Sequence, residues 1–259
     1  MDPFEPKNLT PGDVLLHAEH GYEISKLIAW AGSSPFSHAS IVYDDKTMRE
    51  ASAAGVRSYD LATRFADKAN YLYVDVYRRA AEPKGLAPAE VAAVRKVADG
   101  YMGVPYPLDK LAFLGLICAA RDKIPTDPNV RWVLRLVTDW LVDRKPDFMV
   151  CSELVYRCYA EARVNPSIEP EIDVPQVSDM PFPDIDVPKL LEEVWALLHP
   201  KSDDVMPPAP VDETDAQSEA LLRANYAKVR EIDPNPRLVM PADLQNSPDF
   251  TLLGRIRIS

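Results

Sequence analysis

Cys151 stands where a thiol can become a nucleophile. A thiol attacks a carbonyl only as the thiolate, which forms where positive charge is close, at a helix N-terminus or beside an imidazolium. Cys151 follows the non-helical stretch Lys145-Pro146-Asp147-Phe148 and opens the helix-like run CSELVYRCYAEA. The dipole and free N–H groups of a helix start favour negative charge on its sulfur and offer part of an oxyanion hole. Position alone leaves the bland alternative open, because a cysteine at a helix start is often a small buried residue. Cys118 lies inside an apolar stretch and Cys158 two turns into its helix, so both read as structural. Cys151 and Cys158 on one helix would be about 10.5 Å apart along its axis, out of disulfide reach.

Of the four histidines, His38 is the preferred base. It sits on an expected strand in Ser37-His38-Ala39-Ser40, where the small neighbours Ser37 and Ser40 leave room for a substrate or a thiol. His17 and His20 form an H-x-x-H pair with no further ligand nearby, a weak metal signal. His199, beside Pro200, carries less. A base needs a third group to hold its tautomer, and Glu50 is the candidate. Residues two apart on a strand share a face, so His38, Ser40 and Val42 point one way, as do Met48, Glu50 and Ser52. The two faces coincide only if the connecting loop is odd, such as 44–46, pairing Ser40 with Glu50 and bringing Glu50 diagonally within reach of His38.

The elements that position these groups follow from pattern. Residues 13–17, 37–43, 48–51 and 71–77 read as strands, the second and third as a hairpin, and 251–258 as a closing strand. Helices are expected over 23–31, 88–101, 151–162, 187–198 and about 215–230, with a helical hairpin in 109–145 split by Pro125 and Pro128. The stretch 164–188, rich in Pro, Asp and Glu, reads as linker or surface wrap rather than core, as does 202–215. The fold class is α+β: a small, mainly antiparallel sheet packed against the Cys151 helix.

The order GDVLL, SHASIVY, MREA followed by Gly55-Val56, then GVPYP and CSELVY resembles the permuted papain-like amidases, the YaeF/YiiX-type branch of the NlpC-related cysteine peptidases. In that family the strand bearing the histidine precedes the cysteine helix. The resemblance covers residues 9–79, 95–107 and 147–162, and the closing PADLQNSPDFTLLG resembles the family's end. It implies a papain-like, circularly permuted NlpC-type fold with Cys151 as nucleophile, His38 as base and Glu50 orienting it. The implied reaction is hydrolysis of an amide in a peptide or peptidoglycan fragment through an acyl-enzyme, with no metal or organic cofactor. Tyr106, in Pro105-Tyr106-Pro107, reads as lining the substrate site or packing beside it. Departures lie in a helical insert at 109–145 and a Pro- and acid-rich insert at 164–235, within one hydrolase domain spanning 1–259. The first insert starts and ends beside the site, so it either completes the core or forms a lid. An acyltransferase or lipase acting on esters or thioesters is the alternative, although CSELV differs from the Asn-Cys-Glu-His run of the lecithin:retinol acyltransferase branch. A non-catalytic peptide- or amino-acid-binding module is the other.

A formal charge of −11 without a Lys/Arg cluster argues against nucleic acid as a partner. The N-terminus lacks a basic stretch followed by an apolar run, so cytoplasmic residence is the expectation, with delivery by another route left open. The longest apolar run, Leu111 to Ala120, falls far short of the roughly 20 residues that span a bilayer, so no transmembrane segment is expected. Composition leaves the oligomeric state open.

Overall fold

A computed structural model describes residues 2–106, 149–172, 183–198 and 239–258, with positions 181 and 236. The expected helical hairpin of 109–145 and the helix near 215–230 lie outside the described residues.

Six strands, β1 (Val14–Glu19), β2 (His38–Val42), β3 (Thr47–Ser52), β4 (Gly55–Asp60), β5 (Tyr71–Arg79) and β6 (Phe250–Arg257), form one sheet in the order β4-β3-β2-β1-β5-β6. All neighbouring strands run antiparallel. Helices α1 (Glu23–Gly32), α2 (Leu61–Ala66), α3 (Pro88–Gly100), α4 (Cys151–Ala160), α5 (Val187–Leu198) and α6 (Pro241–Asn246) complete the described elements. Among the described residues no helix is long and apolar enough to cross a membrane.

The sheet is covered on both faces, which is why β1 is apolar along most of its length rather than alternating. Val14, Leu16, Ala39, Ile41 and Ala51 belong to a core shared with Leu154, Val155, Cys158 and Tyr159 of α4. Leu15, Val42, Met48, Val74 and Val76 form a second core with Leu61 and Phe65 of α2. Both β4 and α2 were missing from the sequence reading. Asp60 starts α2 by accepting the Thr63 backbone N–H at 2.7 Å, an N-cap of the usual kind.

The β2–β3 hairpin has Ile41 opposite Arg49 and Val42 opposite Met48. That register places an odd, three-residue loop between the strands and puts the His38 and Glu50 faces together.

The described parts of the stretch after α4, residues 164–172 and 183–186, are built into the fold, which corrects the expectation of a surface wrap there. Ile168, Ile172 and Ile185 are buried, and Arg79 donates to the Ile168 carbonyl. Helix α1 has no side-chain cap from its own N-cap residue, Tyr22. Glu193 of α5 supplies one instead, accepting from Glu23 N at 2.8 Å and Ile24 N at 3.1 Å. Glu23 in turn accepts from Asp186 N at 3.1 Å. Pro-rich composition hid this because isolated isoleucines among acids and prolines carry no period.

Ile168 is almost fully buried, so Ile168→Ala should lower unfolding stability by about 2–5 kcal/mol, as core truncations of this kind do. Denaturant unfolding checks this; a loss within about 0.5 kcal/mol, the surface norm, would restore the wrap.

Candidate active site

Strand β1 ends where antiparallel β2 begins, and His17 is paired with His38 across that junction. Cys151, at the first position of α4, meets the sheet there. The backbone segment bearing Tyr106 is tied to the same place. Val56 N donates to Val104 O at 2.8 Å, Gly103 N to Val56 O at 2.9 Å, and Met149 N to Pro105 O at 3.0 Å. Gly55 permits the first of these ties: its φ is +85°, and a Cβ there would stand 2.8 Å from Val104 O.

His38 Nε2 lies 2.8 Å from Glu50 Oε2, and the Cys151 thiol is near enough to act on the ring. Burial disfavours the imidazolium, but hydrogen bonds to Cys151 and Glu50, with the negative charges of both, prevail and push His38 up to about 10. With the ring charged, Nε2–H donates to Glu50.

Glu50 is fully buried and saturated with donors. Oε2 is shared by His38 and by Arg64 Nη2 at 2.5 Å. Oε1 accepts from Arg57 Nε at 2.9 Å and Nη2 at 2.7 Å. Burial raises the carboxyl, yet the His38 hydrogen bond and charge, then Arg64 and Arg57, bring it down to about 2. Arg57 and Arg64 both lie over Tyr59, and Arg64 also over Tyr71, with guanidinium-to-ring distances of 4.2–4.7 Å. Neither arginine was singled out in the sequence, since both sit on the two elements it missed. The available signal was the Asp60 cap that starts α2 at the end of β4.

His17 is fully buried, with its ring 5.1 Å from that of His38. Its Nε2 meets Ser40 Oγ at 2.8 Å, the Ser40 hydroxyl donates to Met48 Sδ at 3.1 Å, and His17 Nδ1 has no partner among the described residues. Burial, with the charges of His38 and Arg64, drives His17 well below the ordinary histidine value, so it is neutral. Ser40 is therefore a buried partner of His17. The hydroxyl of Ser37, also buried, is turned onto Glu19 Oε2 at 2.7 Å.

Tyr106 is half-buried. Desolvation, then the negative charges of Cys151 and Glu19, push its phenol well above the ordinary value, so it is a hydrogen-bond donor. Burial pushes the Cys158 thiol up. Glu153 of α4 is occupied by Arg157 at 2.9 Å. Cys118 and His199 lie outside the described residues. Among the described residues no three His, Cys, Asp or Glu side chains converge as metal ligands would.

No family model matches this sequence, and no curated protein matches it. Among solved structures the chain is similar to the metalloprotein YiiX of Escherichia coli O157:H7, described as DUF1105, at 19% identity and a TM-score of 0.48. The match spans 95% of this chain and 97% of that one. Likeness at that level leaves the chemistry to be argued from the residues themselves.

The charge state of His38 sets its pH dependence. Its folded value lies above the ordinary 6.5, so the stability it contributes is fully present below about 6.5 and is lost as pH rises through about 10. The Glu50 contribution has the opposite sign, being present above its ordinary 4.5 and lost as pH falls through about 2. NMR titration of the His38 ring should give a midpoint near 10, falling by about a unit or more in Cys151→Ala as one negative partner is removed. A midpoint near 6.5 in the unaltered protein would mean that the charged pair does not form.

Proposed function

We propose that the protein is a cysteine hydrolase that cleaves an amide bond through Cys151, His38 and Glu50. The observation that supports this reading is that Cys151, at a helix start, acts on His38, whose Nε2 lies 2.8 Å from a buried carboxylate. A nucleophile, a base and an orienting group in that order are what acyl transfer requires.

In the proposed cycle the Cys151 thiolate attacks the carbonyl carbon, and the carbonyl π electrons move to oxygen. First-turn N–H groups of α4 and the Tyr106 hydroxyl are the available donors for that oxyanion. The oxyanion collapses, the C–N bond breaks, and the His38 proton goes to the departing nitrogen, leaving a thioester on Cys151 and an amine product. His38, now neutral, takes a proton from water as the water oxygen attacks the thioester. Collapse of the second oxyanion breaks the C–S bond, releasing the acid and restoring the thiolate–imidazolium pair. Glu50 keeps Nε2–H engaged throughout, so the nitrogen that exchanges protons is always the one facing sulfur.

An activated acyl ester tests the reading. Mass spectrometry should find one acyl group on Cys151, Cys151→Ser should abolish turnover, and His38→Ala should lower it about 10²–10⁴-fold. Turnover near that of the unaltered protein in Cys151→Ser would refute the assignment.

A further inference from the structure

His38 shares its carboxylate with a competitor. His38 Nε2 and Arg64 Nη2 meet on the same oxygen, Glu50 Oε2, at 2.8 Å and 2.5 Å, while Arg57 holds Oε1 through Nε at 2.9 Å and Nη2 at 2.7 Å. The Arg64 side chain is 4% exposed and that of Arg57 38%, so water screens the second charge and not the first. Arg64 is also fixed from the sides, its guanidinium lying 4.7 Å from the ring of Tyr59 on β4 and 4.2 Å from that of Tyr71 on β5. Tyr71 packs edge-on against His17 at 5.6 Å, and His17 lies 5.1 Å from His38. The contacts that run from His38 through Glu50, Arg64, Tyr71 and His17 return to His38 as a closed ring.

To orient a histidine, a carboxylate need only accept from it. Two guanidinium groups on the same carboxylate do something further. A buried glutamate with no other cation would hold the imidazolium proton so firmly that His38 could not pass it on, whereas a second positive charge on the same oxygen, within about 5 Å, repels that proton.

We propose that Arg64, with Arg57 as its weaker partner, is a positioning residue that sets how readily His38 releases its proton, by keeping Glu50 in place as the orienting group while offsetting its hold on the imidazolium. The inference rests on the reading of His38 as the base. The other titratable groups of the site are Cys151 at the start of α4, Tyr106, the neutral His17 on β1, and Glu19 at the end of β1, which accepts from Ser25 Oγ at 2.6 Å and Ser37 Oγ at 2.7 Å. They are the same in every variant below, so differences between variants report the arginines.

NMR titration of the His38 ring in a Cys151→Ala background reads the effect without hydrolysis. Arg64→Gln removes the charge and keeps a donor for Glu50, and the midpoint should rise by about one unit or more. Arg64→Lys, which retains the charge, should return the midpoint close to that of the background. Arg57→Gln, at the more exposed and more tolerant position, should raise it by a smaller amount. A midpoint that stays put in both Gln variants, or falls toward about 6.5 as a loosened pocket would give, overturns the inference, as does a rise in Arg64→Lys equal to that in Arg64→Gln. In the proposed reaction the same change separates substrates by leaving group. A 4-nitrophenyl ester departs as an anion and needs no proton, whereas the 4-nitroanilide of the same acid does. Single-turnover acylation by Arg64→Gln should fall about 3- to 10-fold more on the anilide than on the ester, and Arg64→Lys should recover most of that ratio. Equal losses on both substrates would mark a merely structural role and overturn the proposal. If the unaltered protein is acylated by neither, the hydrolase reading fails, and the titration still decides whether Arg64 sets the proton affinity of His38.

Discussion

The Glu50 carboxylate is the constraint around which the described fold is arranged. An anion with no exposure to water loses several kcal/mol of hydration, which only close, well-directed cations restore. Here they come from three separate elements: His38 on β2, Arg57 on β4 and Arg64 on α2. Each must be delivered to within hydrogen-bond distance of one group on β3. The β2–β3 register, the β3–β4 pairing with Glu50 opposite Arg57, and the short helix after β4 are three parts of one electrostatic solution. Removing any single donor leaves a buried charge short of a partner, an event that typically costs 3–5 kcal/mol. Stability and the orientation of His38 are thereby carried by the same hydrogen bonds.

A second consequence concerns where protons reside. Arg57 and Arg64 hold Glu50 ionised well below neutral pH, so it accepts from His38 without competing for its proton. His17, on the opposite strand, stays neutral because burial and the cations around it forbid another positive charge. The imidazole ring of His38 thus has a charged partner on Nε2 and an uncharged ring at its side.

The sequence pattern made legible those parts of the site that depend on local rules. Cys151 at a helix start follows from the non-helical run before it, and Glu50 opposite the base follows from the parity of a three-residue loop. Helix α5 was placed correctly over 187–198 because its length allows a periodic pattern to show. What the pattern concealed was set by tertiary contacts. Helix α2 has six residues, too few for a period, and its buried Arg64 looks like an ordinary surface charge in the sequence. The burial of Ser37 and Ser40 depends on what covers the sheet, and neither Ser25 nor Glu193 announces that it reaches across to another element. Long-range pairing decides these positions, and local composition contains no trace of it.

Two glutamates at the same end of the sheet show how environment separates roles that residue type leaves identical. Glu50, closed in by three cations, exerts little net field on anything approaching from solvent; its charge is spent on holding His38. Glu19, on the neighbouring side of the base, is solvated by hydroxyls, which stabilise a carboxylate without cancelling its charge.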